Sequence, residues 1–117
     1  MFLQVADQIA VQILNGQWVF GAKIPGVRQL AMEMKVATNT VQRSFMELRS
    51  RGIIQKTGIG HFVTADARTL VVCWWKKRLL EEELPEFFKT MYLLNIGWEE
   101  IENGFERFKA DLRPTIK

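Results

Sequence analysis

Residues 37–64 read ATNTVQRSFMELRSRGIIQKTGIGHFVT, and this stretch decides the fold. Its first half places Val41, Phe45 and Leu48 at spacings of four and three, which predicts a helix that buries one face. From Ile53 the helical period is lost, and two short runs rich in strand-forming residues flank a glycine-containing turn. The stretch therefore predicts a helix followed directly by a β-hairpin.

Two further helices are predicted before this stretch. Residues 2–15 place most of their apolar side chains on one helical face, and residues 27–34 carry apolar side chains at spacings of three, one and three. Residues 18–26 combine bulky with turn-forming side chains, so they are interpreted as a packed connector. Three helices followed by a two-stranded hairpin is the order of a winged helix-turn-helix, in which the hairpin flanks the helix that enters the major groove.

The remaining residues are predicted to be helical. Pro85 should kink or restart a helix, because proline lacks an amide donor and clashes with the preceding turn, and a last helix should follow Gly97. These helices carry more large apolar side chains than they can bury alone. The predicted fold class is α+β, mostly α, with a DNA-binding domain over residues 1–66 and a helical dimerisation segment over residues 67–117. The expected homodimer contacts are large apolar side chains: Leu70, Trp74, Trp75, Leu79, Phe87, Phe88 and Met91.

The aromatic side chains of the C-terminal half allow a second interpretation. They would suit the wall of a pocket for a small-molecule effector of unknown identity, and the set is Trp74, Trp75, Phe87, Phe88, Met91 and Tyr92. We favour an interface or core over a pocket. The sequence has no glycine-rich phosphate loop, no cluster at metal-ligand spacing and no lysine in a cofactor motif, so we expect neither a cofactor nor a metal.

Composition narrows the class of protein without deciding it. Of the 117 residues 48% are hydrophobic and 25% are charged, which is ordinary for a folded protein, and the net charge of +3 is compatible with an anionic partner. No apolar stretch reaches the roughly 20 residues that a bilayer crossing needs, and no signal peptide opens the chain, so we expect a cytoplasmic protein without a membrane partner. Cys73 has no cysteine partner and is expected to be a buried thiol. We expect no enzyme, because nucleophile, base and orienting group are not found at a recognisable spacing.

Three runs of the sequence resemble the GntR family of transcription regulators, in the family's order and spacing. They are KIPGVRQLA at residues 23–31, VATNTVQRSF at residues 36–45 and GIIQKTGIGHFV at residues 52–63. The form NTVQR at residues 39–43 and the short helical C-terminal part resemble the YtrA-type subgroup, whose members are generally homodimeric repressors. The resemblance implies a sequence-specific regulator that binds double-stranded DNA at an inverted-repeat operator. The alternative is a winged helix that docks on another protein, although the amide-rich outer face of the third helix argues against it.

The resemblance also assigns DNA contacts, at the positions that match the family's motifs: Arg28, Thr38, Asn39, Thr40, Gln42, Arg43, Lys56, Gly58, Gly60 and His61. Side-chain amides and hydroxyls near the start of the third helix are implied to read base edges, with Gln42 as the foremost candidate. Arg43 and Lys56 are implied to anchor phosphates, and Arg28 to contact a phosphate or a base edge. Because Ala37 and Thr38 replace a polar cap and an arginine or proline of the family, the operator sequence does not carry over.

Several of these residues have plainer interpretations. Arg28 and Lys56 also fit solvated surface charges, while Asn39 and Thr40 also fit residues that only cap the third helix. Gly26 stands where the family usually has a serine, so a side-chain cap or phosphate contact is expected to be missing at the second helix.

The wing residues have alternatives too. Gly58 and Gly60 match wing glycines expected to take positive φ angles and approach the DNA backbone or the minor groove, or they form an ordinary hairpin turn. His61 replaces the family's usual threonine, and it either touches phosphate or is a solvated or stacking side chain.

Overall fold

The computed structural model of the chain describes residues 2–116, with side chains described for residues 2–112. The chain forms two compact units, Met1–Lys76 and Lys77–Lys117. Across residues 2–116, no helix combines the length and the apolar character that a membrane crossing requires.

The first unit contains the predicted helices and hairpin. Its elements are α1 (Phe2–Leu14), β1 (Lys23–Ile24), α2 (Val27–Met34), α3 (Thr38–Ser50), β2 (Ile54–Thr57), β3 (Gly60–Val63) and most of α4 (Ala67–Arg78). The prediction of three helices followed by a β-hairpin is therefore confirmed.

The sheet has a third strand that the sequence analysis missed. The strand order is β1-β3-β2, and both pairs are antiparallel. In the first pair Lys23 lies opposite Phe62 and Ile24 opposite His61. A strand of two residues shows no periodicity of its own, so its existence depends on the neighbour that the fold supplies. The connector around it is packed as expected, because Ile24 is buried.

The core of the first unit lies between α1, α3 and the sheet. Buried apolar side chains line the inner face of each element: Val5, Ala6, Ile9, Ala10, Ile13, Ile24, Leu30, Ala31, Val41, Phe45, Leu48, Ile53, Ile54 and Val63. Val11 of α1 lies off this inner face and is 38% exposed. The buried Ser44 hydroxyl lies 2.6 Å from the Phe2 carbonyl oxygen and 2.9 Å from that of Thr40, which links α3 to the start of α1.

Helix α4 packs on this core through its first ten residues. Ala67 and Val71 are fully inside it, and Arg68 donates a hydrogen bond to the carbonyl of Leu14 at the end of α1. The prediction that Cys73 is buried is wrong. Cys73 is exposed because it lies two residues after Val71, about 200° round the helix from the buried face.

The second unit is helical, as predicted. A π-helical turn (Leu79–Glu83) leads into α5 (Leu84–Leu93), and α6 (Trp98–Ile116) follows Gly97. Pro85, at the start of α5, offers no amide hydrogen to the preceding turn, and the expected disturbance of the helix is found at this place. Large apolar side chains of this unit remain exposed in the single chain: Leu79, Leu80, Phe87, Phe88, Tyr92, Leu93, Leu94, Trp98, Phe105 and Phe108.

Candidate nucleic-acid interface

Helix α3 presents polar side chains on the faces that do not enter the core. Its buried side chains are Val41, Ser44, Phe45 and Leu48, whereas Thr38, Asn39 and Gln42 are exposed. With about 100° per residue, Thr38, Gln42 and Arg49 fall on one stripe along the helix, at spacings of four and seven. A hydrogen bond from Arg49 to His61 of β3 shows that the C-terminal end of this stripe adjoins the hairpin, which we call the wing (residues 54–63). Phe45, which lies on the same side of the helix between Gln42 and Arg49, is buried.

The start of α3 is not capped by a side chain. The residue at the N-cap is Ala37, with extended backbone angles and no side-chain hydrogen bond to the helix. Asn39 and Thr40 lie inside the first turn, so the interpretation that they only cap the helix is wrong. The exposed amide of Asn39 is thus left for another partner, while Thr40 is half-buried.

Arg43 lies apart from this stripe. Its guanidinium sits over the ring of Phe2, 4.4 Å from the ring centroid, so it borders α1 rather than the wing. Arg28 is exposed in the first turn of α2. The N-cap of that helix is Gly26, without a side-chain hydrogen bond, which confirms the expected loss of a cap. Arg28 therefore lies on α2, and Arg43 lies on a different face of α3 from the stripe.

The wing turn depends on one glycine. Thr57 and Gly60 face each other across a two-residue turn, and the Thr57 hydroxyl accepts a hydrogen bond from the Ile59 amide at 3.2 Å and donates one to the Gly60 carbonyl at 3.3 Å. Gly60 has a φ of +139°, and an added Cβ would lie 2.8 Å from Lys23 Cε. For Gly58 the expected positive φ is wrong, since its φ is not in the left-handed region and a Cβ there would meet open space.

His61 is held against α3 and is not a freely solvated wing residue. Its ring makes an edge-to-face contact with Phe45 at a centroid distance of 4.6 Å, and its Nε2 lies 2.8 Å from Arg49 Nη1. Burial, and then the positive charges of Arg49 and Lys56, lower the pKa of His61 below its ordinary value. Among the alternatives for His61, the stacking side chain is the one that the geometry supports.

The predicted interface residues thus fall into two groups. Thr38, Asn39 and Gln42 on α3 and Lys56, Gly58, Gly60 and His61 on the wing lie on adjoining parts of the first unit, while Arg28 and Arg43 lie to the side. The sequence analysis did not assign a DNA contact to Arg49. Its spacing of seven residues from Gln42, about two helical turns, was the signal that could have found it.

The predicted dimerisation residues are divided between the two units. Leu70, Trp74 and Trp75 pack in part against the core of the first unit. In the second unit Leu79, Phe87 and Phe88 are exposed and Met91 is half-buried. Phe87 and Phe88 form an edge-to-face pair with ring centroids 6.4 Å apart.

Sequence comparison places these elements in a known group. The family described as "Bacterial regulatory proteins, gntR family" matches residues 2–63, more than half of the chain. The chain belongs to the GntR family. The match covers the three helices and the wing, so the predicted winged helix-turn-helix is confirmed.

Two relatives from Bacillus subtilis (strain 168) extend this likeness over nearly the whole chain. The HTH-type transcriptional regulator YhcF is 35% identical over 92% of this chain and 88% of its own length. The HTH-type transcriptional repressor YtrA is 26% identical over 97% of this chain and 87% of its own length. The resemblance to the YtrA-type subgroup is thereby confirmed.

Solved structures of GntR proteins agree. A GntR-family regulator from Bacteroides thetaiotaomicron has a TM-score of 0.74 and 38% identity over 94% of this chain and 96% of that one. The DNA-binding domain of AraR in complex with operator ORR3 has a TM-score of 0.52 and 26% identity over 54% of this chain and 77% of that one. The protein is a GntR-family transcriptional regulator with a DNA-binding helix-turn-helix domain, not an enzyme.

Proposed function

We propose that this regulator is a homodimeric repressor that reads an inverted-repeat operator in double-stranded DNA. The observation that carries the proposal is the exposed N-terminal end of the stripe of α3, with Thr38 and Gln42, on a helix whose C-terminal end adjoins the wing. A helix with an exposed amide and hydroxyl on one side suits the major groove, whose base edges offer donors and acceptors. Gln42 is assigned to an adenine edge, with which a side-chain amide forms two hydrogen bonds.

Charged residues on neighbouring elements supply affinity in this proposal. Arg28, Arg43 and Lys56 are exposed, and each would neutralise a backbone phosphate on a different side of α3. The turn formed by Gly58 and Gly60 would bring the wing close to the adjacent minor groove. The AraR domain, which has a similar fold, was crystallised with its operator, and this supports the assignment of DNA as the partner.

A second copy of the chain is the proposed cover for the apolar side chains of the second unit. Phe87 and Phe88 on α5 and Phe105 and Phe108 on α6 are exposed in the single chain. Exposed apolar side chains in such number are typical of an interface. A symmetric dimer places two recognition helices about 34 Å apart, in successive major grooves.

Repression would follow from occupancy of the promoter. YtrA, which is similar to this chain along most of its length, is a repressor, and this supports the same sign of regulation here. An effector of this regulator has to bind more tightly to one separation of the two DNA-binding domains than to another. A ligand with equal affinity for both states does not change the equilibrium between them.

Fluorescence anisotropy with a labelled fragment of the protein's own promoter tests the DNA assignment. Gln42→Ala should weaken specific binding by about 5-fold to 100-fold and leave binding to random duplex unchanged, because it removes one base contact. Arg28→Ala should weaken binding to both duplexes and reduce the dependence of log Kd on log salt by about one. Gln17→Ala, which removes an exposed amide outside α3 and the wing, is the matched control. If no duplex binds even at low salt, the proposal is wrong.

Sedimentation equilibrium tests the dimer. The unaltered protein should sediment at twice the monomer mass, and Phe88→Glu should shift it to monomer, because a carboxylate in an apolar interface is costly to desolvate. Thr90→Glu places the same charge at another exposed position of α5 and should leave the dimer intact. A dimer that resists Phe88→Glu would contradict the assigned interface.

A further inference from the structure

The guanidinium of Arg49 is hydrogen-bonded to a histidine ring. Among the described residues, the guanidinium of Arg49 has one hydrogen-bond partner, His61, at 2.8 Å between Nη1 and Nε2. A guanidinium has donors only, so His61 Nε2 must be the acceptor and must lack a proton. The imidazole is therefore neutral, which agrees with the lowered pKa of His61 caused by burial and by two nearby cations.

A second cation lies beside this pair. The register of the sheet puts Lys56 directly opposite His61 on the neighbouring strand, so the two side chains share a face of the wing. Within residues 2–112, neither Arg49 nor Lys56 has an ion pair with a carboxylate, whereas Arg51, the C-cap residue of α3, is paired with Glu47 at 2.7 Å. Two cations thus flank one neutral ring, with no anion of the described chain to balance them.

We propose that the junction of α3 and the wing binds one backbone phosphate of the DNA, with Arg49 as the phosphate ligand, Lys56 as a second cation and His61 as the residue that positions Arg49. This inference rests on the proposed DNA binding and adds a ligand and a positioning residue to it. Arg49 matches none of the motif positions to which the family resemblance gave a DNA contact.

The position of Arg49 along α3 selects a phosphate over a base edge. Arg49 lies seven residues after Gln42 on the same stripe, about 10 Å along the helix axis at 1.5 Å per residue. A recognition helix contacts base edges with its N-terminal residues, so its C-terminal turns lie nearer the rim of the groove. There the sugar-phosphate backbone runs over the junction of the helix and the wing.

His61 contributes by ordering Arg49 before DNA arrives. A free arginine side chain loses rotamer freedom when it engages a phosphate, and this loss weakens binding. The hydrogen bond to Nε2 and the contact of the His61 ring with Phe45 hold one end of the guanidinium in place. The Arg49 side chain has therefore already lost this rotamer freedom in the free protein. The remaining guanidinium donors stay available for a phosphate oxygen.

The test is a double-mutant cycle on DNA affinity, measured by anisotropy over a range of salt concentrations. Arg49→Gln should weaken binding about tenfold and reduce the slope of log Kd against log salt by about one, because one phosphate contact is lost. His61→Phe keeps an aromatic ring against Phe45 but removes the acceptor. It should weaken binding about threefold with an unchanged salt slope, since the charge of Arg49 remains.

The cycle separates positioning from direct contact. If His61 acts through Arg49, His61→Phe should have no effect in the Arg49→Gln background. His61→Gln, which restores an acceptor, should bind like the unaltered protein, and Lys89→Gln, which removes an exposed cation from α5, should leave affinity and salt slope unchanged. Circular dichroism melting of each variant verifies that all are folded.

The outcomes distinguish this inference from the proposed function. Salt-dependent binding by the unaltered protein together with an unchanged slope for Arg49→Gln would overturn the phosphate site and leave the regulator's DNA binding intact. Equal losses from His61→Phe in both backgrounds would overturn the positioning role. Failure of the unaltered protein to bind any duplex would overturn both proposals.

Discussion

Replacement of Gly60 by alanine should destabilise the first unit through the backbone of the wing turn. Gly60 has a φ of +139°, a region that is essentially restricted to glycine and costs other residues about 1–3 kcal/mol. The new Cβ would also lie 2.8 Å from Lys23 Cε, but this atom is near the end of a flexible side chain and can move at small cost. Alanine also reduces the conformational entropy of the unfolded chain, which offsets about 0.4–1 kcal/mol of this cost. We therefore expect a net loss of about 1.5 kcal/mol in the free energy of unfolding.

Gly58→Ala is the matched control, two residues away in the same turn. Gly58 is outside the left-handed region and has open space at its Cβ position, so this variant should be neutral or slightly stabilising. Urea unfolding followed by tryptophan fluorescence, at one protein concentration because dimerisation shifts the midpoint, measures the difference. A further variant, Gly60→Ala with Lys23→Ala, should recover less than half of the loss, because it removes the steric contact and keeps the strained φ. Equal effects of Gly58→Ala and Gly60→Ala would refute this reasoning.

Two further predictions concern stability. Because burial and the charges of Arg49 and Lys56 lower the pKa of folded His61, the unfolded chain binds the proton more readily. The free energy of unfolding should therefore decrease as pH falls through about 6.5, the pKa of an unperturbed histidine. His61→Gln should remove this part of the decrease between about pH 7.5 and 5.5. A pH profile of His61→Gln that runs parallel to that of the unaltered protein would contradict the assignment. Val71→Ala should cost about 2 kcal/mol, because Val71 is fully buried where α4 meets the core, whereas Val72→Ala at its half-buried neighbour should cost clearly less in the same urea titration.

Most of the secondary structure was predictable because it follows from local patterns. The apolar spacing of Val41, Phe45 and Leu48 is a property of one helix, and the change of period at Ile53 marks the start of the wing. The disturbance near Pro85 follows from the chemistry of proline alone. These features need no knowledge of neighbouring elements.

The errors arose where the outcome depends on packing or strand pairing that the local sequence pattern does not show. The strand β1 was missed because two residues carry no period, and its partner β3 lies almost forty residues later. Cys73 was expected to be buried on the basis of its residue type, but only the packing of α4 shows which face of the helix is inside. The φ angles of Gly58 and Gly60 depend on the register of the wing, so a glycine in the sequence did not by itself reveal which position required it.

By itself the sequence determined the order of helices and hairpin, the membership of residues 2–63 in the GntR family and the polar outer stripe of α3, because periodicity and motif spacing are written along the chain. Only the tertiary structure decided that Arg49 and His61 meet, that Lys56 lies opposite His61 and that Arg43 points towards Phe2. Each of these contacts joins residues of two different secondary-structure elements. They arise from the packing of the wing and α1 against α3, which no single segment specifies.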